Sequence, residues 1–317
     1  MEKLRNAITV VVFISILVLL LVVLSKSFVA LEVSGIKSEK KDTIDYLVLG
    51  DSEAYTSISP MEIWKKSGLK GYNLGVSSQT LQKGSTVYRK ALENQQPKVL
   101  LIETNFIFRN TGMINELEYF LTNTLSDSFA IFENHSNWKT FAKEKQWPSF
   151  RQPIMLPNPL KGYYFNVDQN PYVKGDYVKP TNVRAVIQQP QREILDNILE
   201  LSRERDIQVI FYSSPSPVNW TYAQHNVISD IATKNGLQYL DLNLLSSDLN
   251  IDWSKDTYDA GDHLNFFGAK KVSEFISESL ENNSALKSNG MDIDRDLWMS
   301  EMKTYDEIVV AMKNRYR

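Results

Sequence analysis

Ser52 follows Gly50 and Asp51 at the end of the apolar run Asp45–Leu49, and His263 sits in the segment Asp259-Ala260-Gly261-Asp262-His263-Leu264-Asn265. A serine hydroxyl is a weak nucleophile at neutral pH and needs an adjacent base. An imidazole, with an ordinary pKa of about 6.5, can take the hydroxyl proton and return it. A carboxylate behind the imidazole fixes its tautomer and stabilises the imidazolium. Asp259 and Asp262 are both candidates for that carboxylate. Adjacent side chains seldom point the same way, which favours Asp259 on a bulged loop over Asp262, directly before His263. Such a set makes or breaks an ester through an acyl group carried on serine.

The elements that must position these residues alternate. Asp45–Leu49, Tyr72–Leu74, Pro97–Glu103, Gln208–Tyr212 and Leu237–Leu242 read as short apolar strands. Pro60–Lys66, Gln79–Asn94, Val183–Asp206, Tyr222–Asn235 and Phe266–Glu281 read as helices, with Gly236 as a stop signal. Alternation of this kind predicts a parallel sheet covered on both faces, a three-layer α/β/α sandwich. Ligands of such sheets bind at the carboxyl ends of the strands. Polar groups cluster there: Gly50-Asp51-Ser52, then Asn73 to Ser78, then Glu103-Thr104-Asn105.

These four blocks, in this order and at these strand ends, resemble the SGNH (GDSL) hydrolase superfamily. Gly50–Ser52 matches its nucleophile block, Gly75 its glycine block, Asn105 its asparagine block and His263 its histidine block. The resemblance implies an oxyanion hole made of the Ser52 backbone N–H, the Gly75 backbone N–H and the Asn105 side-chain amide. Two departures stand out. The family's third block usually reads Gly-x-Asn-Asp, and here it is Glu103-Thr104-Asn105-Phe106. Its last block usually carries Asp three residues before His, where this chain has Ala260. The subgroup most like this chain is membrane-anchored and exported, including alginate O-acetylation proteins and the D-alanyl transfer protein of teichoic acid. That likeness implies a cell-wall or extracellular polysaccharide substrate and a multispanning membrane O-acyltransferase as a partner.

Residues 7–25 carry no charge between Arg5 and Lys26. About 20 apolar residues suffice to cross a bilayer as a helix. Lys3 and Arg5 place the N-terminus in the cytoplasm by the positive-inside rule. We therefore expect a cytoplasmic stub at 1–6, a transmembrane helix at 7–25, a stalk at 26–42, a catalytic domain at 43–282 and a helical tail at 283–317. The aromatic-rich stretch 106–180 reads as an insertion folding over one end of the sheet. Phe106, Phe108, Trp138, Trp147, Tyr163 and Tyr164 could stack on sugar rings there or form a small core of the insertion's own.

Composition excludes several classes. The 317 residues are 43% hydrophobic and 23% charged, an ordinary globular balance rather than a disordered one. A net charge of −3 gives no electrostatic ground for nucleic acid. With no cysteine, disulfides and thiolate catalysis are ruled out. His135 and His225 lie in no metal-ligand spacing, and neither metal nor cofactor is expected. Glu53 and Glu103 are acidic beside the site; either could tune His263 or bind substrate hydroxyls, but a surface or structural role is favoured. The sequons at Asn134, Asn219 and Asn282 carry no weight by themselves. The expectation is an extracytoplasmic serine O-acyl esterase or O-acyltransferase. A non-catalytic assembly factor on the same fold and a thioesterase or lipase are the rivals.

Overall fold

A computed structural model describes residues 2–27, 34–109, 158–286 and 294–315. The chain divides into two compact units, residues 1–34 with 111–156 and residues 35–110 with 157–317. Of the first unit, the described part is helix α1, Glu2–Ser27. Side chains are described without a break only from Ile8 to Val23, and among the described residues no helix is long and apolar enough to cross a membrane. Most of the expected insertion, with Trp138 and Trp147, lies outside the described residues.

The second unit is built on five parallel strands: β1 Tyr46–Leu49, β2 Gly71–Asn73, β3 Val99–Glu103, β4 Gln208–Ser213 and β5 Gln238–Asp241. Their order is β2-β1-β3-β4-β5. Every residue of β1 and β3 is buried, as continuous apolar strands covered on both faces must be. Register carries Leu49 opposite Ile102 and Glu103 opposite Tyr212, so the polar residues that follow β1 and β3 emerge at the same edge. Strand order reverses direction between β1 and β3, and a crevice opens at such a switch point.

Helices α2 Ser34–Ser38, α3 Ser52–Ser57, α4 Pro60–Ser67 and α5 Leu81–Ala91 come from the first half. Helices α6 Gln189–Glu204, α7 Tyr222–Asn235, α8 Phe266–Glu281 and α9 Arg295–Arg315 come from the second. On one face Tyr46, Val48, Leu101 and Ile210 pack with Ile58, Ile63, Val272 and Ile276, so α4 and α8 cover the sheet together. On the other face α5 packs against α6. Local signals set the helix ends. Ser59 caps α4 by accepting from Glu62 N–H, and Gly236 ends α7 at φ 65°. Helix α6 starts later than residue 183 because Pro190 fits only in a first turn.

Two segments expected at the periphery belong to this unit. Ile36 and Glu39, placed by sequence in a stalk, are buried. Lys161 holds Glu39 at 2.7 Å and Glu301 of α9 at 2.7 Å, with its Nζ 4.5 Å from the Trp298 ring centroid. Tyr305 of α9 donates to Glu62 Oε1 at 3.0 Å. The C-terminal helix is thus packed on α4 through buried Trp298 and Tyr305. Phe106, assigned by sequence to the insertion, follows β3 in a single 3₁₀ turn, Asn105–Phe108, and is fully buried.

Candidate active site

Ser52 opens α3 directly beyond β1. Asp51 is the N-cap, its Oδ1 accepting from Glu53 N–H at 3.0 Å. That bond fixes the turn and leaves Ser52 7% exposed at the crevice. Asp51 Oδ2 is paired with the Arg109 guanidinium and accepts from Asn105 Nδ2 at 3.3 Å. Asp51 therefore serves as a clamp between the β1 and β3 ends. Glu103 does similar work, accepting from Asn105 N–H at 2.7 Å and from Ser214 N–H at 3.3 Å.

His263 faces this edge from the loop before α8. Its Nδ1 lies 2.6 Å from Asp259 Oδ2 and 3.7 Å from Asp262 Oδ1. Asp259 Oδ1 also accepts from the His263 backbone N–H at 2.6 Å. A carboxylate only accepts, so Nδ1 carries the hydrogen and Nε2 is the basic nitrogen. Of the two aspartates open in the sequence, geometry brings Asp259 onto the ring. Two consecutive left-handed residues, Ala260 at φ 61° and Gly261 at φ 92°, fold the loop back so that residues four apart meet. Tyr258 stacks on the imidazole at 5.7 Å with an 8° interplanar angle.

Nε2 of His263 is buried and has no hydrogen-bond partner, so no bond joins it to Ser52 in this structure. Free enzymes often hold such contacts open until substrate binds. The neighbour of Ser52 shows how close the two elements come. Glu53, Asp262 and His263 offer ligand-type atoms that all lie within 4.8 Å of one another.

The implied oxyanion donors are placed unevenly. Gly75 packs tightly against the Ser52 turn, for a Cβ there would lie 2.9 Å from Asp51 O and 3.0 Å from Tyr55 N. Its N–H, however, donates to Asn73 Oδ1 at 2.9 Å. Asn105 Nδ2 donates one hydrogen to Asp51 and keeps a second. No hydrogen bond from Ser52 N–H is made among the described residues.

Residues that sequence reading passed over complete the site. Asn219, noted there only as a sequon, donates its side-chain amide to Glu53 Oε1 at 2.6 Å and to Asp262 Oδ1. Ser216 Oγ donates to Asp262 O at 2.8 Å. The segment Asn166–Asn170 tethers the histidine loop: Ala260 N–H donates to Asn170 O at 2.9 Å and Phe266 N–H to Asn166 O at 2.6 Å. No periodic or motif signal marks Asn219, Ser216 or this segment. A small cleft of about 10 Å³ next to the Ser52 turn is lined by Glu53, Glu103, Asn105, Phe108, Asn219 and Trp220, among others, though not by Ser52 itself.

Burial pushes the Glu53 carboxyl well above the ordinary carboxylate range, and the nearby Glu103, Asp51 and Asp262 push the same way against the Asn219 hydrogen bond. Burial does the same to Glu103, reinforced by Asp51 and opposed by its backbone donors.

No protein-family model and no curated protein matches the chain. Among solved structures, a proposed acylhydrolase from Bacteroides fragilis is 13% identical, with 80% of this chain and 95% of that one covered and a TM-score of 0.40. A GDSL-like lipase from Bacteroides thetaiotaomicron is 13% identical, with 74% and 87% covered and a TM-score of 0.37. A further GDSL-like protein, from Parabacteroides merdae, is 12% identical over 78% and 99%, with a TM-score of 0.39. Likeness at this level carries no weight for function, and the reading below rests on the geometry of the site.

Proposed function

We propose that this chain is a serine O-acyl esterase or O-acyltransferase of the SGNH type. The observation that carries the reading is the Asp259–His263 pair, whose Nε2 is buried without a partner on a loop where His263 comes within 4.8 Å of Glu53, the residue after Ser52. Nε2 takes the Ser52 hydroxyl proton as Oγ attacks an ester carbonyl. The carbonyl π pair moves to oxygen, and the tetrahedral oxyanion is met by Ser52 N–H and the second Asn105 Nδ2 hydrogen. Gly75 N–H joins them when Asn73 Oδ1 releases it. Collapse expels the alcohol, which receives the proton from Nε2 and leaves an acyl-serine. Water or a sugar hydroxyl then attacks by the reverse sequence, with His263 again the base. Asp259 holds the ring and stabilises the imidazolium throughout.

The sequence resemblance extends this to an extracellular or cell-wall polysaccharide as substrate, a membrane anchor and a multispanning O-acyltransferase as partner. The anchor reading draws on the uncharged run 7–25. It also draws on α1, in which Thr9 and Ser15 hydroxyls donate to carbonyls four residues back at 3.0 and 2.9 Å, satisfying themselves as a lipid environment requires. The domain would then lie outside the cytoplasmic membrane.

A fluorophosphonate probe tests the chemistry. We expect labelling at Ser52 that disappears in Ser52→Ala and His263→Ala. A second reading, a non-catalytic assembly factor, is favoured by the engagement of Gly75 N–H and Asn105 Nδ2 within the protein. Absence of labelling in the intact protein would select it.

A further inference from the structure

Glu53 is the most unusual side chain at the site. It follows Ser52 directly, is 1% exposed, and lines the same cleft as Asn105. Oε1 accepts from Asn219 at 2.6 Å, while Oε2 is buried without a partner. Among the described residues, the titratable groups facing it from the surrounding elements are carboxyls, phenols or the base itself: Asp51 before α3, Glu103 at the end of β3, Tyr212 on β4, and Tyr258, Asp262 and His263 on the loop before α8. The Arg109 cation is spent on Asp51. A buried, unpaired carboxylate beside three other carboxylates is costly, whereas a carboxylic acid there is a ready donor.

A cation held by Glu53, Asp262 and His263 is the competing account of the same cluster. Asn219 argues against it, because its amide nitrogen hydrogen-bonds the carboxylates of both Glu53 and Asp262, so the space between them is already served by a neutral donor.

We propose that Glu53 is a further catalytic residue, donating a hydrogen bond from its Oε2–H to the carbonyl oxygen of the bound ester as that oxygen gains charge, with Asn219 as the residue that positions it. The inference rests on the serine-ester reading of the site. Two of the donors implied by resemblance are engaged elsewhere, Gly75 N–H by Asn73 and one Asn105 hydrogen by Asp51. Glu53 supplies a donor from the same cleft. A carboxylic acid kept neutral by an apolar site can do this work at neutral pH. Burial and the neighbouring carboxylates raise the Glu53 pKa, the direction that favours the protonated acid. At alkaline pH the proton leaves and an anion faces the developing oxyanion, so activity falls.

The test uses p-nitrophenyl acetate hydrolysis by the full chain, with fluorophosphonate labelling of Ser52 alongside. Glutamine at 53 reproduces both roles, since its Oε1 accepts from Asn219 and its Nε2 donates. Glu53→Gln is expected to lose about three- to tenfold in kcat and to lose the alkaline fall in the pH profile. Glu53→Met removes the donor at similar volume and is expected to lose about 10²–10³-fold, mostly in kcat. The proposal is overturned if Glu53→Gln is as impaired as Glu53→Met, if Glu53→Met stays within about threefold of the parent, or if the alkaline fall persists in Glu53→Gln. Should Glu53→Met fail to fold, the Glu53→Gln pH profile decides alone. Turnover arrested by a chelator and restored by a divalent cation would overturn it in favour of the metal. A parent protein that neither turns over ester nor labels at Ser52 sinks the serine reading itself, a result distinct from labelled Ser52 with Glu53 variants that behave alike.

Discussion

His263 Nδ1 is 2.6 Å from Asp259 Oδ2, and Asp259 Oδ1 accepts the backbone N–H of the same histidine at 2.6 Å. One carboxylate thus fixes both the ring and the loop that carries it. Asp262, at 3.7 Å from Nδ1, has its carboxylate committed to Asn219 instead.

This asymmetry separates two conservative variants. Asp259→Asn is expected to lower kcat for an ester by about 10³–10⁴-fold, because the amide presents a donor to Nδ1 and favours the wrong tautomer. Asp262→Asn is expected to lose about tenfold or less. Steady-state kinetics on purified variants checks the ranking, and equal losses would remove the assignment of Asp259.

The buried acids make stability depend on pH in an unusual sense. Glu53 and Glu103 have folded-state pKa values above their ordinary 4.5, so between 4.5 and the folded value the native state holds protons the unfolded chain has released. Stability from this source is full below about 4.5 and is lost as pH rises. Glu53→Gln should therefore match the parent near pH 4 and exceed it at higher pH. The gap grows by up to about 1.4 kcal/mol per pH unit until Glu53 titrates in the fold. Urea unfolding at a series of pH values measures it, and a constant gap would refute the account.

Gly75 tests the coupling between β2 and the nucleophile turn. Alanine there would set a Cβ 2.9 Å from Asn73 Oδ1 and Asp51 O and 3.0 Å from Tyr55 N. Two of those atoms are backbone on either side of Ser52, so relief must move the nucleophile. Gly75→Ala is expected to cost about 1–3 kcal/mol in stability. Activity should fall at least tenfold even at temperatures where the variant is fully folded, as circular dichroism would verify.

Lys161 tests the packing of α9. It is fully buried between Glu39 and Glu301. Lys161→Met leaves two buried carboxylates without their cation and is expected to cost about 3–5 kcal/mol. Adding Glu39→Gln and Glu301→Gln should recover much of that loss in chemical denaturation. Failure of the triple variant to improve on the single one would show that the ion cluster is not the source of the cost.

The sequence alone determined what is local. Alternating apolar runs fixed the strands and helices, so β1 and β3 end where expected and α8 runs Phe266–Glu281 with Asn265 as its cap, accepting from Phe267 and Gly268 N–H. Strand-end placement of Ser52 and Asn105 follows from the same runs. What lay beyond the sequence is set by contacts between residues far apart in the chain. The sequence favours Asp259 over Asp262 only because adjacent side chains diverge; the contact itself depends on Ala260 and Gly261, which fold the loop through left-handed backbone. Glu53 reads as an ordinary exposed acid until β3, the histidine loop and Asn219 close around it. Glu39 sits in a charged run that looks solvated, yet Lys161, 122 residues away, draws it into the core. Periodicity records which face of an element is apolar, whereas the partner of a buried charge is a through-space fact that only the folded chain decides.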